Sequence, residues 1–314
     1  MFFKLTHKKK QLPLFAPILN GFIIIAILLF TSSCEKEVHI NLNPGEGKVV
    51  VEGRIELGEY PYVSLTQNMS FFSKIDLNTL EDLFIHDAHI TVSDGQDSIV
   101  LKEYAFAYGD NTIYVYTIDS ADALAQQFKG AYDKTYFLKI QLGDQVYTSQ
   151  TTIPRGYGLD SLWVQMPDRP GEVAPEARML YARYTDPDTL GNFIRYATKV
   201  NRGSFLTPFF SVSDDQIING TSIPFRILPG YIPVDTIDRA TYGFFMLGDT
   251  VTIQWSSIDK STYDFWDKLE FAQAATGNPF AAPTAIPSNI SNNALGIWAG
   301  YGHQYYSIII KDDE

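Results

Sequence analysis

The sequence has very little cysteine, since Cys34 is the only one among 314 residues. A single thiol excludes an internal disulfide framework and a cysteine-rich metal site. A long hydrophobic run is also missing: the most apolar stretch, 22–30, has nine unbroken apolar residues, whereas a spanning helix needs about 20. Stability must therefore come from burial of the hydrophobic side chains, which make up 45% of the chain.

Acidic residues are absent before Glu35, while four lysines precede the apolar run. A basic start, a short apolar run and small residues at a cut site are typical of a secretory signal peptide. The motif Thr-Ser-Ser-Cys at 31–34 predicts a lipoprotein signal at residues 1–33, lipidation of Cys34 and a tether at 34–47. The usual lipoprotein motif has Leu in place of Thr31, and an uncleaved anchor with an incidental cysteine is the alternative.

Basic residues are scarce once the predicted signal peptide is removed. The remaining 281 residues carry 20 Lys+Arg and 36 Asp+Glu, a net charge of −16. So acidic a surface repels phosphate backbones and anionic lipids, which argues against nucleic acid as a partner. Acyl chains on Cys34 are then the expected membrane attachment.

From Lys48 onward the apolar residues alternate with polar ones, which is typical of half-buried β-strands. Asp94-Gly95 and Gly143-Asp144 each separate two such runs and predict hairpins. One proline and two glycines at 152–158 predict a boundary. We therefore predict a mainly all-β fold: an N-terminal Ig-like β-sandwich at 48–155, then a larger β-rich domain at 158–314 with one packed helix.

Two stretches have helical signals. Residues 119–129 form a helix-like interruption of the strand pattern, and residues 261–275 combine a capping-box-like start at Ser261 and Asp264 with an apolar stripe. This stripe contains Trp266 and Leu269, which we expect to be buried against the second domain.

Several clusters have residue types that could bind or react. His86 and His89 are three residues apart, and such residues point to opposite faces of a strand, which disfavours a metal site. Asp186, Asp188 and the pair at 214–215 offer oxygen ligands for Ca²⁺, but they lack EF-hand spacing and equally suit turns. We predict no metal, no cofactor and no catalytic residue, because no nucleophile elbow, zinc-protease motif or phosphate loop occurs.

An aromatic cluster lies near the end of the chain. It consists of Trp298, Tyr301, Tyr305 and Tyr306. These side chains either fill the core of the last strands or form a binding surface, since Trp and Tyr are enriched at interaction hot spots.

Several short segments together are similar to a known family. They include 34–38 (CEKEV), 49–53 (VVVEG), 191–193 (GNF), 248–253 (GDTVTI) and 288–292 (SNISN). In order and spacing they resemble the Bacteroidota lipoproteins grouped as domain-of-unknown-function family 4249. The resemblance implies an outer-membrane lipoprotein, often paired with a TonB-dependent transporter, and implies no known catalytic residue.

The acidic start of the tether bears on the location. Glu35-Lys36-Glu37 resembles the surface-export signal of Bacteroidota lipoproteins, and an ordinary charged linker is the alternative. We expect an outer-membrane protein held by its lipid, and we favour the cell-surface face over the periplasmic one.

Three functions remain open at this point. The first is a non-catalytic accessory subunit that captures ligand for, or acts as a lid on, a TonB-dependent nutrient transporter. The second is an envelope hydrolase acting on the imported nutrient, and the third is a structural envelope lipoprotein. A cleft holding close carboxylates with raised pKa values would favour the hydrolase.

Overall fold

The computed structural model describes residues 47–68, 81–109, 111–168, 172–232, 238, 240–278, 281–282 and 284–312. The predicted signal peptide, Cys34 and the tether up to residue 46 lie outside these ranges. Within them, no helix is long and apolar enough to cross a membrane.

The described residues are mostly in strands, with 49% of residues in strands and 8% helical, which confirms the all-β prediction. The strands are β1 (Val49–Glu56), β2 (Tyr62–Gln67), β3 (His89–Ser93), β4 (Ser98–Tyr108), β5 (Asn111–Ile118), β6 (Lys134–Leu142), β7 (Gln145–Ile153), β8 (Leu159–Gln165), β9 (Ala177–Thr185), β10 (Phe193–Val200), β11 (Val212–Asp214), β12 (Ser222–Ile227), β13 (Phe245–Met246), β14 (Thr250–Ile258) and β15 (Leu295–Ile309); the helix is α1 (Lys260–Ala274).

Two predicted hairpins are confirmed. The strands β3 and β4 pair antiparallel across Asp94-Gly95, and β6 and β7 pair antiparallel across Gly143-Asp144. Both glycines have positive φ, 89° for Gly95 and 57° for Gly143, a region that favours glycine because it lacks a Cβ atom.

One large sheet runs through both halves of the sequence. Its eleven strands have the order β11-β10-β14-β15-β1-β2-β5-β4-β3-β6-β7, and β8, β9, β12 and β13 form a smaller sheet around β9. Most neighbours are antiparallel, but the first and last strands, β1 and β15, pair in parallel. This pairing joins residues that are far apart in the sequence.

The large sheet curls, so that its edge strand β7 returns to β15. The Gly300 N–H of β15 donates to Thr151 Oγ1 of β7 at 2.7 Å. Enclosed by this curl, Trp298 is 0% exposed and its Nε1 donates to Tyr136 O at 3.0 Å. Gly53 lies directly opposite Trp298 in β1, and a Cβ atom there would lie 2.8 Å from the indole ring. Gly53 therefore leaves the space that the indole fills.

The described residues, from 47 to 312, belong to one compact unit. The predicted division at 155–158 falls between the end of β7 and the start of β8. Apolar side chains gather into separate clusters on either side of this point, but the first cluster also takes Ile290, Ala294 and Trp298 from the end of the chain. The division into two domains stays a prediction.

The helix α1 begins one residue before the predicted start, and its cap differs from the prediction. Asp259, not Ser261, is the N-cap residue, and its carboxylate accepts from the Thr262 N–H at 2.8 Å. The other carboxylate oxygen accepts from Thr151 Oγ1 at 2.7 Å and Thr152 N at 3.0 Å. One side chain thus caps the helix and attaches it to β7.

The buried face of α1 also differs from the prediction. Trp266 and Leu269 are only half-buried, whereas Thr262 and Glu270 are buried. The Glu270 carboxylate accepts from the Ser211 backbone N–H at 2.8 Å and from the Ser211 hydroxyl. Burial raises the pKa of Glu270, against the lowering effect of these hydrogen bonds. A charged residue can occupy the core face because a distant segment supplies its partners.

The predicted helix at 119–129 is wrong, since only a 3₁₀ turn forms at Ala125–Gln127. The side chain of Asp119 accepts from the Ala121 N–H at 3.0 Å, and that of Asp122 accepts from the Leu124 N–H at 2.9 Å. Such local side-chain bonds compete with the helical backbone pattern.

We predict that Trp298→Ala destabilises the protein by about 3–5 kcal/mol, because it leaves a cavity and an unpaired Tyr136 carbonyl. The free energy of unfolding in urea measures this loss. Tyr305→Ala on the same strand is the control, because Tyr305 is 55% exposed and surface changes usually cost less than about 0.5 kcal/mol. Equal losses in the two variants would show that the indole is not a main contributor to the core.

Candidate functional site

The candidate functional site is a pocket of about 350 Å³ on one face of the large sheet. Four adjacent strands, β10, β14, β15 and β1, form its floor. Side chains at alternate positions of these strands point to the same face. The lining residues are Glu52, Gly53, Arg54, Glu56, Arg195, Phe205, Gln254, Trp266, Ile297, Tyr301 and His303. The pocket therefore combines aromatic rings with charges of both signs.

His303 lies at the centre of this floor. Its neighbour across the ladder is Ser256 of β14, whose hydroxyl is 2.6 Å from Nδ1. The Glu56 carboxylate of β1 is 3.3 Å from Nε2, at an angle that makes no regular hydrogen bond. The ring also stacks on Tyr301, with centroids 5.5 Å apart and planes at 15°. Contacts from three strands thus fix the imidazole orientation.

The charges on β1 form a short ladder. Arg54 Nε is 3.0 Å from the Glu56 carboxylate, and the Arg54 guanidinium lies 4.1 Å above the Tyr62 ring. Burial raises the pKa of Glu56, but the interactions with His303 and Arg54 outweigh burial, and the pKa ends below its ordinary value of 4.5. Glu56 therefore stays ionised in the folded protein at neutral pH.

A second arginine holds the opposite wall. The Arg195 guanidinium lies 3.7 Å above the Trp266 ring, and its Nε donates to Ser211 Oγ at 3.1 Å. The indole Nε1 of Trp266 donates to the Tyr301 hydroxyl at 2.9 Å. Helix α1 is thereby attached to the sheet floor, and its half-buried Trp266 forms a wall of the pocket.

Ser256, His303 and Glu56 are residue types that also occur in nucleophilic triads. However, Ser256 is 3% exposed and is not among the residues that line the pocket. Among the described lining residues there is no Ser, Thr, Cys or Lys. The hydroxyl therefore orients the imidazole, and the pocket offers hydrogen bonds, charge and aromatic faces to a ligand.

Comparison with protein families gives a match that extends across the site. A family model described as a domain of unknown function, DUF4249, matches residues 35–306. The chain belongs to this family. The match includes nearly all of the predicted tether, both halves of the sequence and most of β15. Among curated proteins, none matches the chain significantly.

The four aromatic residues near the end of this DUF4249 chain are divided between the two faces of β15. Because successive side chains of a strand alternate between faces, the four rings do not lie together. Tyr301 and Tyr305 share the face of the candidate site, with His303 between them. Trp298 and Tyr306 point to the other face, where Trp298 is in the core and the Tyr306 hydroxyl accepts from the Leu159 N–H at 3.0 Å.

The acidic residues that were weighed as Ca²⁺ ligands lie elsewhere. Asp186, Asp214 and Asp215 line a separate pocket between the two sheets. The Asp188 carboxylate accepts from the Asn219 amide at 3.3 Å. Within the described ranges, no three His, Cys, Asp or Glu side chains are arranged to hold a metal ion.

The two histidines at 86 and 89 do not face each other. His86 contacts the Glu103 carboxylate through Nδ1 and meets the Tyr114 ring edge-on, at 4.5 Å between centroids. His89 is exposed at the start of β3. The two imidazoles therefore have different neighbours.

Sequence reasoning missed the centre of the site. His303 belongs to no recognisable motif, and its partners Glu56 and Ser256 belong to strands that are far from it in the sequence. One signal was present: Tyr301, His303 and Tyr305 are spaced by two, so a strand places all three on one face. That spacing indicates an aromatic–imidazole row but not which strands lie beside it.

We predict that Glu56→Gln destabilises the protein by roughly 1 kcal/mol at neutral pH, because it removes charge-assisted contacts with His303 and Arg54. Since the folded pKa of Glu56 is below 4.5, its contribution is present above that pH and is lost as the pH falls through the folded value. The difference between wild type and variant in urea unfolding should therefore shrink between pH 7 and acidic pH.

The control for this comparison is Glu52→Gln on the same strand. The Glu52 side chain is 74% exposed, and its carboxylate is 4.0 Å from the Arg54 guanidinium, which is a weak ion pair. We therefore expect little change in the free energy of unfolding at either pH. If the loss of unfolding free energy in Glu56→Gln were the same at acidic and neutral pH, the stabilising role of the ionised Glu56 carboxylate would be contradicted.

Proposed function

We propose that this chain is a non-catalytic, lipid-anchored binding subunit of the outer membrane. In this proposal it captures a ligand for, or closes as a lid over, a TonB-dependent nutrient transporter. The observation that carries the binding role is the pocket around His303, where aromatic and charged groups are held in place by contacts with one another. The Cys34 motif supports the anchor, and the family resemblance supports the choice of partner.

The pocket has the properties that favour binding. Its floor is a four-stranded part of a sheet, which is more rigid than loops and positions side chains accurately. Arg195, Trp266 and Tyr301 are connected to one another by a cation–π contact and a hydrogen bond. Little side-chain freedom is then lost when a ligand binds, which improves affinity.

One observation favours the hydrolase alternative. Burial raises the pKa of Asp186, and the nearby Asp215 raises it further, against the lowering effect of the Tyr184 hydrogen bond and the Gly220 backbone N–H. A pair of catalytic carboxyls needs one acid and one free carboxylate. The Asp215 carboxylate is buried and already accepts two hydrogen bonds from Asn192 through one oxygen. We therefore retain the binding role.

We predict that Cys34→Ala releases the protein from membranes, because in this proposal the acyl chains on Cys34 are the anchor. Labelling of cells with palmitate, followed by fractionation, measures both properties. Ser33→Ala is the matched control, since a small residue remains before the cut site. A Cys34→Ala protein that is still labelled and still in the membrane fraction would contradict lipid anchoring.

We also predict that native membranes in mild detergent yield this protein bound to a large outer-membrane barrel. Tethering raises the effective concentration of the two proteins, so a moderate and partly polar contact suffices. The Cys34→Ala form should bind the same barrel much more weakly. Affinity purification and mass spectrometry test this. Recovery of the protein alone would favour the structural alternative, and recovery with periplasmic enzymes only would contradict the transporter role.

A further inference from the structure

A second pocket lies between the large sheet and the small sheet, with a volume of about 160 Å³. Arg195 points to the candidate site, so its neighbours in β10 point to the opposite face and line this second pocket. The apolar wall consists of Ile194, Tyr196, Ile218, Ile223, Phe225 and Trp255. The two pockets are therefore separate and share only the strands between them.

Trp255 is the centre of the aromatic wall. Its ring centroid lies 5.5 Å from Phe225, 5.4 Å from Tyr184 and 6.3 Å from Tyr196. The indole Nε1 donates to Tyr157 O at 3.1 Å, so its polar atom is already paired. What Trp255 and Phe225 present to the pocket is mainly ring surface.

A carboxylate meets this apolar wall. Asp186 is 3% exposed, and one of its oxygens accepts from the Tyr184 hydroxyl at 3.0 Å. The other oxygen, Oδ2, is buried and makes no hydrogen bond of regular geometry with the described residues, although the Gly220 backbone N–H lies near enough to lower the pKa of the carboxyl. An unpaired buried carboxylate oxygen is costly, because nothing replaces the water it has lost.

The other charged groups near Asp186 are also acidic. Asp215 is buried beside it, and Asp214, which contacts the Tyr263 hydroxyl at 3.5 Å, lines the same pocket. No Lys, Arg or His is among the described residues that line the pocket. The pocket therefore concentrates negative charge and lacks a protein cation to balance it.

The surroundings select the kind of cation. Ca²⁺ takes six to eight oxygen ligands, and the described residues hold no cluster of three carboxylates or imidazoles suited to a metal. Aromatic faces, by contrast, attract organic ammonium groups through the cation–π interaction. A dry cavity of about 150 Å³ lined by apolar side chains can hold a molecule as large as benzene, so one ring or a short alkyl body fits here.

We propose that this pocket binds a small organic ammonium ion, with its nitrogen beside the Asp186 carboxylate and its compact apolar body against Trp255 and Phe225. The site is distinct from the pocket around His303, and it assigns the buried acidic pair a role in ligand recognition. Binding here does not depend on the transporter proposal.

Three compounds of nearly equal size test the proposal: 2-phenylethylamine, 2-phenylethanol and phenylacetate. The purified full chain is titrated with each by calorimetry and by tryptophan fluorescence, with detergent alone as the blank. We expect saturable binding of the amine, weaker binding of the alcohol and the weakest binding of the anion. Equal affinity for the amine and the alcohol, or no saturable binding of the amine, would overturn the proposal.

Variants then locate the site. Asp186→Asn should weaken amine binding by about tenfold or more and remove the preference over the alcohol, since a charged partner is lost. Asp160→Asn is the matched control, because Asp160 bonds Thr185 at 2.7 Å outside the pocket. Unchanged amine affinity in Asp186→Asn would place the ligand elsewhere and contradict the assignment.

Two further measurements test whether the loss of amine binding comes from misfolding and whether the pocket prefers an inorganic cation. Ile223→Phe keeps every carboxylate but fills the pocket, so it should also weaken amine binding. A folded Ile223→Phe protein with full amine affinity would contradict the pocket. Titration with CaCl₂ is the last arm: tighter binding of Ca²⁺ than of the amine, lost in Asp186→Asn, would replace the organic cation by a metal and overturn the proposal.

Discussion

The structure depends on the parallel pairing of the first strand with the last. Gly53 of β1 and Trp298 of β15 lie opposite each other. Because glycine has no side chain, the indole can occupy the space next to it. The indole closes the core inside the curled sheet, and its Nε1 satisfies the Tyr136 carbonyl. The same pairing brings Glu56 next to Tyr301 and within reach of His303. Core and candidate site therefore share one structural cause.

Partly or fully buried carboxylates organise the rest of the molecule in two different ways. Asp259 and Glu270 each accept several hydrogen bonds from distant segments, so they act as connectors between α1 and the sheets. Asp186 accepts from the Tyr184 hydroxyl, and its other oxygen makes no hydrogen bond of regular geometry with the described residues. The hydrogen bonds to Asp259 and Glu270 offset the free-energy cost of removing these carboxylates from water. The other oxygen of Asp186, beside aromatic rings, suits an external cation.

The two pockets illustrate how one set of strands can serve two purposes. Alternation along β10 sends Arg195 to the pocket around His303 and Tyr196 to the pocket around Asp186. The first pocket is more polar and has charges of both signs, and the second is mostly apolar with carboxylates at one end. Because the two pockets lie on opposite faces of the same strands, a shift of these strands would change the shape of both pockets.

The sequence by itself determined most of the strands and the place of α1, but not the conformation of residues 119–129 or the cap of α1. Period-two patterns marked the strands, Asp94-Gly95 and Gly143-Asp144 marked hairpins, and α1 was placed within one residue, because backbone sterics act over a few neighbours. Only the tertiary structure decided that β1 pairs with β15, that Thr262 and Glu270 rather than Trp266 are the buried residues of α1, and that Asp186 lies near Asp215. Those contacts join distant segments, and the packing of the whole core selects them, so no local pattern could reveal them.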